Sequence, residues 1–427
     1  MALLRNCSLA AIVLMSGASV AQAASFSIED KVLAGDGAAL DQFGRSVGIS
    51  GPTAIVGASG DDDNGALSGS AYLFDTTSGA QSAKLTASDA AEGDQFGRSV
   101  AMSGTIAIVG AHHDDDNGGN SGSAYLFDTT TGAQLAKLRA SDGAEGDLFG
   151  WSVAISGTTA IVGAYNDETN NGPNRGSAYL FDTTTGLQSA KLTASDGALD
   201  DLFGYSVGIS GTTAIVGAYK DDDHGNASGS AYLFDTVTGD LLFKLRADDA
   251  AESDWFGQSV AVSGTTAIVG ARKDDDNGDS SGSAYLFDTT TGAQIAKLTA
   301  SDAAANDVFG AAVAISGGIA IVGAWGDDDN GSASGSAYLF DTTSGAQIAK
   351  LTASDGAMID LFGFAVAISG TTAIVGAYGD DDNGTESGSA YIYSSPAAAT
   401  VPLPAGVWLL LSGALALGWV RRKSARA

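Results

Sequence analysis

Short apolar runs separated by clusters of Gly, Ser, Asp and Asn recur along the chain at an almost constant spacing. In the first repeat, four runs rich in Val, Ile, Tyr, Phe and Ala cover residues 43–50, 53–58, 70–74 and 81–87. The first run alternates bulky residues with Gly and Ser, which is the period of a strand, and no useful helical period lies between the runs. Each repeat therefore predicts four β-strands.

A Phe-Gly pair marks each repeat and gives the number of copies. It recurs at Phe43, Phe96, Phe149, Phe203, Phe256, Phe309 and Phe362, with gaps of 53 or 54 residues. A fixed period of this length indicates an array, a solenoid or a propeller. Four strands per repeat, taken seven times, predict an all-β fold, a seven-bladed β-propeller of four-stranded blades.

The two ends of the repeat array complement each other. The last copy stops after its third strand, at residues 391–393, and the missing fourth strand is found at the N-terminus, as residues 31–36. An N-terminal strand that completes the last blade closes the ring and removes both exposed sheet edges, whereas a linear solenoid needs capping repeats. We therefore predict one propeller domain over residues 24–395.

The first 23 residues have the pattern of a secretory signal peptide. Arg5 supplies the positive charge, residues 9–15 are mostly apolar, and Ala21-Gln-Ala23 is a small-residue cleavage site. The single cysteine, Cys7, lies in this segment and leaves with it. The mature chain then has no thiol, which excludes disulfides and cysteine catalysis.

The C-terminus has a second targeting pattern. Residues 396–404 form a linker that runs into the motif Val401, Pro402, Leu403, Pro404 and Ala405, and residues 405–427 form an apolar segment with a basic end. This tail resembles the VPLPA variety of PEP-CTERM sorting signals in Gram-negative bacteria. The resemblance implies cleavage by an exosortase-type transpeptidase and display at the cell surface or in the extracellular matrix. The alternative is a simple transmembrane anchor, and in both cases this segment is the protein's membrane contact.

The repeat itself, Phe-Gly followed by Ile-Val-Gly-Ala, resembles the FG-GAP repeat of integrin α chains and many bacterial surface proteins. The resemblance covers all seven copies and implies the seven-bladed propeller. One departure matters: the integrin-type calcium loop between the first two strands is replaced by short turns such as Ser-Gly-Thr-Thr at residues 156–159. The sequence is more similar to the bacterial subtype without that loop.

The aspartates occur instead after the Gly-Ala motif, and the formal net charge is −30. This charge disfavours binding to nucleic acid. Most acidic residues fall between the second and third strands of a blade or between blades, which a propeller places on one face. In an extended segment, only the first and third Asp of each run point the same way. The candidate calcium ligands are therefore Asp61, Asp63, Asp114, Asp116, Asp221, Asp223, Asp274, Asp276, Asp327, Asp329, Asp380 and Asp382.

Two interpretations of these runs stay open. Carboxylate oxygens suit calcium, but the spacing departs from the EF-hand pattern. Asp-Asn-Gly is also a favourable turn that needs no ion.

For function, we expect a non-enzymatic surface or matrix protein that binds an extracellular protein or polysaccharide through its acidic loop face. Near-identical loops offer no unique catalytic pocket. One alternative is a secreted glycan hydrolase or lyase that uses the central channel, with His112 or His224 required, and another is a passive acidic coat component. The residue after Gly-Ala varies, and its aromatic members, Tyr165, Tyr219, Trp325 and Tyr378, are candidates for stacking on sugars or anchoring a protein.

Overall fold

The computed structural model describes residues 26–168 and 175–395. Within these ranges, 28 strands form seven antiparallel sheets of four strands each, and every sheet is one blade of a propeller. The strands are β1 (Ile28–Val32), β2 (Phe43–Ser50), β3 (Thr53–Ala58), β4 (Ser70–Asp75), β5 (Gln81–Leu85), β6 (Ser99–Ser103), β7 (Ile106–Ala111), β8 (Ser123–Asp128), β9 (Gln134–Leu138), β10 (Ser152–Ser156), β11 (Thr159–Ala164), β12 (Ser177–Asp182), β13 (Leu187–Leu192), β14 (Ser206–Ser210), β15 (Thr213–Ala218), β16 (Ser230–Asp235), β17 (Leu241–Leu245), β18 (Phe256–Ser263), β19 (Thr266–Ala271), β20 (Ser283–Asp288), β21 (Gln294–Leu298), β22 (Ala312–Ser316), β23 (Ile319–Ala324), β24 (Ser336–Asp341), β25 (Gln347–Leu351), β26 (Ala365–Ser369), β27 (Thr372–Ala377) and β28 (Ser389–Ser394).

Blades 1 to 6 are the successive groups β2–β5, β6–β9, β10–β13, β14–β17, β18–β21 and β22–β25, each ordered from the axis outward. Blade 7 contains β26, β27 and β28, and its outermost strand is β1. The innermost strands of neighbouring blades contact one another around a complete cycle, including β26 with β2. The predicted seven-bladed ring, closed by an N-terminal strand, is confirmed.

The position of the closing strand needs one correction. Residues 31–36 were the predicted strand, but β1 spans Ile28–Val32, with Lys31 opposite Tyr391 of β28. Lys84 has the same place opposite Tyr72 in blade 1, where the outer strand ends at Leu85 rather than at residue 87. The Lys-Leu or Lys-Val pair therefore ends the outer strand, because the chain must then turn toward the next blade.

The hydrophobic core lies between adjacent blades rather than within them. One cluster combines Ile55 and Leu73 of blade 1 with Phe96 and Val109 of blade 2, all fully buried. Phe96 also makes an edge contact with the ring of Tyr125 at 5.5 Å between centroids. The same packing recurs between each pair of neighbouring blades and buries the bulky residue at every second position of the inner strands. Burial of this apolar surface is the main contribution to the stability of the ring.

The glycine of the Phe-Gly motif is required where two blades meet. Gly97 has a φ of 89°, and a Cβ there would lie 2.2 Å from the carbonyl oxygen of Ser70 in the preceding blade. The glycine of Gly-Ala is opposite it, and the Gly97 N–H donates to the Gly110 carbonyl at 3.0 Å. The glycines of both motifs thus allow the backbones of neighbouring blades to approach closely near the start of the inner strand.

The predicted signal peptide (residues 1–23), the linker and sorting motif and the apolar C-terminal segment lie outside the described residues. Among residues 26–168 and 175–395, no helix is long and apolar enough to cross a membrane.

Candidate functional site

One end of the ring carries both sets of acidic connections. We call the connection between the second and third strands of a blade its BC loop, and the end of the ring that bears the BC loops and the interblade connections the loop face. In blade 1 these segments are residues 59–69 and 86–98. They touch directly, since the Gln95 N–H donates to the Leu67 carbonyl at 2.9 Å. The predicted one-sided placement of the acidic connections agrees with this geometry.

A lysine ammonium lies at the centre of each acidic cluster. In blade 2, Lys137 Nζ is 2.8 Å from Asp89 Oδ2, 2.8 Å from Asp114 Oδ2 and 2.5 Å from Asp116 Oδ2. Asp114 is buried, and it also accepts a 2.8 Å hydrogen bond from the Tyr125 hydroxyl. The candidate first and third aspartates do converge, but they converge on an ammonium group. We call this arrangement of one lysine and its carboxylates the lysine cluster.

Every blade has a lysine cluster. Burial alone would lower the pKa of Lys137, but its hydrogen bonds with Asp114, Asp116 and Asp89 raise it overall. In the order lysine, interblade aspartate and BC-loop aspartates, the clusters of blades 1, 4, 5, 6 and 7 are Lys84 with Asp36, Asp61 and Asp63; Lys244 with Asp196, Asp221 and Asp223; Lys297 with Asp249, Asp274 and Asp276; Lys350 with Asp302, Asp327 and Asp329; and Lys31 with Asp355, Asp380 and Asp382. In blade 3, Lys191 pairs with Asp142 at 2.6 Å and with Asp167 at 2.8 Å.

The lysine was missed by sequence reasoning, although a signal was present. It occurs once per repeat in a chain with only 20 basic residues, and it faces the tyrosine of the third strand, as Lys137 faces Tyr125. The ammonium lies over that ring, 5.2 Å from its centroid. Strand register therefore brings the lysine, the tyrosine and the buried Asp114 together.

Clusters of this kind could bind a metal ion, because carboxylate oxygens of three aspartates lie within 4.8 Å of one another. Calcium takes oxygen ligands at about 2.3–2.6 Å. The Lys137 ammonium already lies at 2.5–2.8 Å from the same three oxygens. The residues therefore do not fit a calcium ion while the lysine stays in place, and calcium binding stays a prediction.

The aspartate two residues before each Phe-Gly has a structural role. Asp147 Oδ2 accepts the Ala144 N–H at 2.7 Å, and the same bond is made at Asp94 by Ala91 at 2.8 Å. Burial raises the pKa of Asp147 to about 6, although the Ala144 N–H lowers it. These carboxylates hold the turn into the inner strand.

A second feature lies at the centre of the loop face, where the inner strands begin. It is built from two positions per repeat: the second residue after the Phe of Phe-Gly, and the first residue after Gly-Ala. We call their side chains together the axial mouth. The first position holds Arg45, Arg98, Trp151, Tyr205, Gln258, Ala311 and Phe364, and the second holds Ser59, His112, Tyr165, Tyr219, Arg272, Trp325 and Tyr378. All of the first set, with Arg272 and Trp325, line an axial cavity of about 340 Å³.

Aromatic rings of the axial mouth contact one another from blade to blade. Trp151 lies 4.9 Å from Tyr165 and 5.4 Å from Tyr205 between ring centroids, and Tyr205 lies 4.6 Å from Tyr219. On the other side of the axis, Phe364 packs edge-on against Tyr378 at 4.5 Å. The predicted aromatic positions after Gly-Ala therefore fall into two groups, Tyr165 with Tyr219 and Trp325 with Tyr378, each joined through aromatic rings that were not singled out from the sequence.

Guanidinium groups lie among these rings. Arg98 Cζ lies 4.2 Å above the Trp151 ring, Arg45 Cζ lies 5.0 Å from Tyr378, and Arg272 Cζ lies 4.8 Å from Trp255. Burial, followed by the neighbouring positive charge of Arg45, lowers the pKa of Arg98 to about 10.

The histidines take different places on the loop face. His112 is buried at the axial mouth, edge-on to Trp151 at 5.0 Å, and burial together with His113, Arg98 and Arg45 lowers its pKa to about 2. His224 is exposed in a BC loop, and its Nε2 lies 2.9 Å from Arg246 Nη1. His112 is therefore uncharged at neutral pH.

Comparison with known families agrees with the blade geometry. The FG-GAP repeat model matches seven segments, at residues 26–74, 80–127, 133–181, 187–234, 242–287, 293–340 and 346–393. Each matched segment begins near the outer strand of one blade and ends with the third strand of the next, so the first includes the closing strand β1. No curated protein matches the chain. Because the matched segments cover most of its length, the chain belongs to the FG-GAP repeat family.

Proposed function

We propose that this protein is an exported, non-enzymatic binding module that attaches to an extracellular polysaccharide or protein at a Gram-negative cell surface or in its matrix. Its family and fold are consistent with a binding or adhesion module. The axial mouth, rather than the acidic loops, is the proposed contact surface.

The observation that carries this proposal is where the repeats differ. The second strand reads Ala-Ile-Val-Gly-Ala in all seven copies. These side chains have the same packing role in every blade, and that role leaves almost no room for other residues. The next residue has five identities, and the axial position after Phe-Gly has six. Side chains that differ in size and charge at seven equivalent positions cannot all serve one packing role. Together they make the centre of the loop face asymmetric, although the ring of blades around it is nearly symmetric. Clustered aromatic and arginine side chains are also typical of binding hot spots.

The acidic clusters have a different place in the proposal. We propose that the lysine ammonium serves as their resident cation and that the clusters stabilise the blades. Calcium dependence, which the aspartate runs predicted, then requires the lysine to move away from its three carboxylates.

Export and surface display rest on the two ends of the chain. The signal-like residues 1–23 and the sorting motif at residues 401–405 support passage across the inner membrane and processing by an exosortase-type transpeptidase. Mass spectrometry of the protein from its cell envelope tests this part, since processing predicts a mature chain that lacks both the first 23 residues and the basic C-terminal end.

Binding is tested with residues 24–395, which contain the whole closed ring, applied to extracellular matrix isolated from the producing bacterium. Saturable retention is expected for the unaltered protein. Trp325→Ala, which truncates an axial aromatic, should weaken retention. Leu187→Ser is the matched control, because Leu187 is exposed on an outer strand far from the axis. The absence of saturable retention would reject the proposal and favour a passive coat component.

A further inference from the structure

We infer that the axial mouth binds a carboxylate-bearing sugar, with the carboxylate held by the arginines and the sugar ring stacked on the neighbouring aromatic side chains. This inference rests on the proposed binding function and names its ligand class.

The arginines of the axial mouth are available to an anion. Among the described residues, Arg45, Arg98 and Arg272 have no carboxylate within ion-pair distance, although the chain carries 50 acidic residues. Arg139 and Arg246, which directly follow the outer strands β9 and β17, do pair with BC-loop aspartates, at 2.9 Å and 3.2 Å. Guanidinium groups left without a carboxylate can bind one bidentately.

Buried polar atoms at the same place also lack partners. Within the described part of the chain, His112 Nδ1, Arg272 Nε and Gln258 Oε1 are buried without a hydrogen bond. His112 is only 2% exposed. Arg272 and Gln258 line the axial cavity, and His112 lies behind the lining residue Trp151. Buried polar groups are almost always hydrogen-bonded, so these unsatisfied atoms mark a place where a polar ligand or water completes the bonding.

The aromatic side chains determine which kind of carboxylate fits. Trp151 and Trp325 line the cavity beside Arg98 and Arg272. Aromatic faces pack against the apolar faces of sugar rings, and a cavity of about 340 Å³ is in the range of small-ligand sites, which begins at roughly 300 Å³. An acidic amino acid side chain supplies the carboxylate but no ring to fill the remaining space.

The surrounding charge limits how many carboxylates the ligand can carry. The axial mouth is cationic, but the BC loops around it carry the runs of aspartate, and the net charge of the chain is −30. A long polyanion would therefore be repelled at the periphery. A single acidic sugar within an otherwise neutral polysaccharide can bind the arginines without this electrostatic repulsion.

The inference is tested by calorimetric titration of residues 24–395 with a panel of probes. These are trisaccharides with one terminal galacturonate, glucuronate or mannuronate, their carboxyl-reduced counterparts and a tri-glutamate peptide. We expect at least one uronate probe to bind and its reduced counterpart to bind on the order of tenfold more weakly, because the reduced sugar has no carboxylate to accept charge-assisted hydrogen bonds from the arginines. Arg98→Gln should weaken uronate binding by about the same factor.

Arg139→Gln is the matched control, since it removes an arginine from the outer side of the loop face, and it should leave uronate affinity unchanged. Thermal melts of both variants check that the ring stays folded. Equal binding of reduced and unreduced sugars would overturn the inference while leaving the proposed function standing, as would binding of the peptide alone. Failure of all uronate probes, with saturable matrix retention intact, would also overturn it. Loss of matrix retention itself would reject the proposed function.

Discussion

The ammonium of Lys137 lies 2.8 Å from the buried carboxylate of Asp114, at the position where a bound cation would be expected. The lysine comes from the outermost strand, 23 residues along the chain from the aspartate. A covalently attached cation therefore neutralises part of the acidic loop face without a metal ion. The aspartate runs therefore contribute to the stability of the blades through their ion pairs with the lysine.

Replacement of this lysine should destabilise the protein. Lys137→Met leaves Asp114 buried without its cationic partner, and loss of one member of a buried pair costs about 3–5 kcal/mol. Chemical denaturation followed by circular dichroism measures the change. Arg139→Met is the control, because its pair with Asp116 is exposed and contributes about 0–1 kcal/mol. An unchanged unfolding free energy for Lys137→Met would show that the cluster is not stabilising.

The same variant gives a sharp test of calcium binding. In the unaltered protein, the lysines occupy the clusters, so we expect thermal stability to rise only gradually with salt, and alike for calcium, magnesium and sodium at matched ionic strength. Lys137→Met vacates one cluster, and a saturable stabilisation specific to calcium should then appear. A saturable calcium-specific rise in the unaltered protein would instead establish sites that bind calcium despite the lysines.

Stability should reach its maximum at mildly acidic pH. Burial raises the pKa of Asp147, Asp201, Asp254 and Asp307 to about 6, whereas an unfolded aspartate titrates at 3.8. Between these pH values the folded protein binds more protons than the unfolded chain, so lowering the pH from 7 toward 5 increases the free energy of unfolding.

Ionisable groups with lowered pKa values have the opposite effect and set the pH at which stability is highest. The pKa of Asp89 is lowered despite its burial, through its contact with Lys137, so its stabilisation is lost as the pH falls below about 4. His112 and His113 have lowered pKa values, so they too reduce the free energy of unfolding on acidification. Among the described residues, only these two histidines act in this direction above pH 5, whereas four aspartates with raised pKa values act in the other. Thermal melts from pH 3 to 8 check the profile. Asp147→Asn, neutral throughout, should flatten it, and a steady rise in stability up to pH 8 would contradict the account.

The fold could be predicted from the sequence because its determinants are local and repeated. The Phe-Gly period counts the blades, and the incomplete last copy shows that a terminal strand must close the ring. The lysine clusters could not be found from the aspartate runs alone, because Lys137 reaches Asp114 only through the pairing of outer and third strands. The axial mouth was half predicted: variation after Gly-Ala pointed to it, but Arg98 and Trp151 become neighbours only when adjacent blades are placed around the axis.

The interblade glycines provide a test of the packing. Gly97→Ala combines a φ of 89° with a Cβ 2.2 Å from the Ser70 carbonyl oxygen, so we expect a loss on the order of 4 kcal/mol in unfolding free energy, or failure to fold. Gly104→Ala is the matched control: its φ is 58° but the space around it is open, and left-handed strain alone costs about 1–2 kcal/mol. Equal effects of the two substitutions would show that interblade contact at Gly97 is looser than described.

The central claim, that ligands bind at the axial mouth, is tested most directly by tryptophan fluorescence. Residues 24–395 contain three tryptophans, Trp151, Trp255 and Trp325, and all lie at or beside the axial mouth. Titration with the matrix polysaccharide should shift their emission along the same saturation curve that direct binding measurements give. Saturable binding with no change in tryptophan emission would place the ligand elsewhere on the propeller and contradict the account.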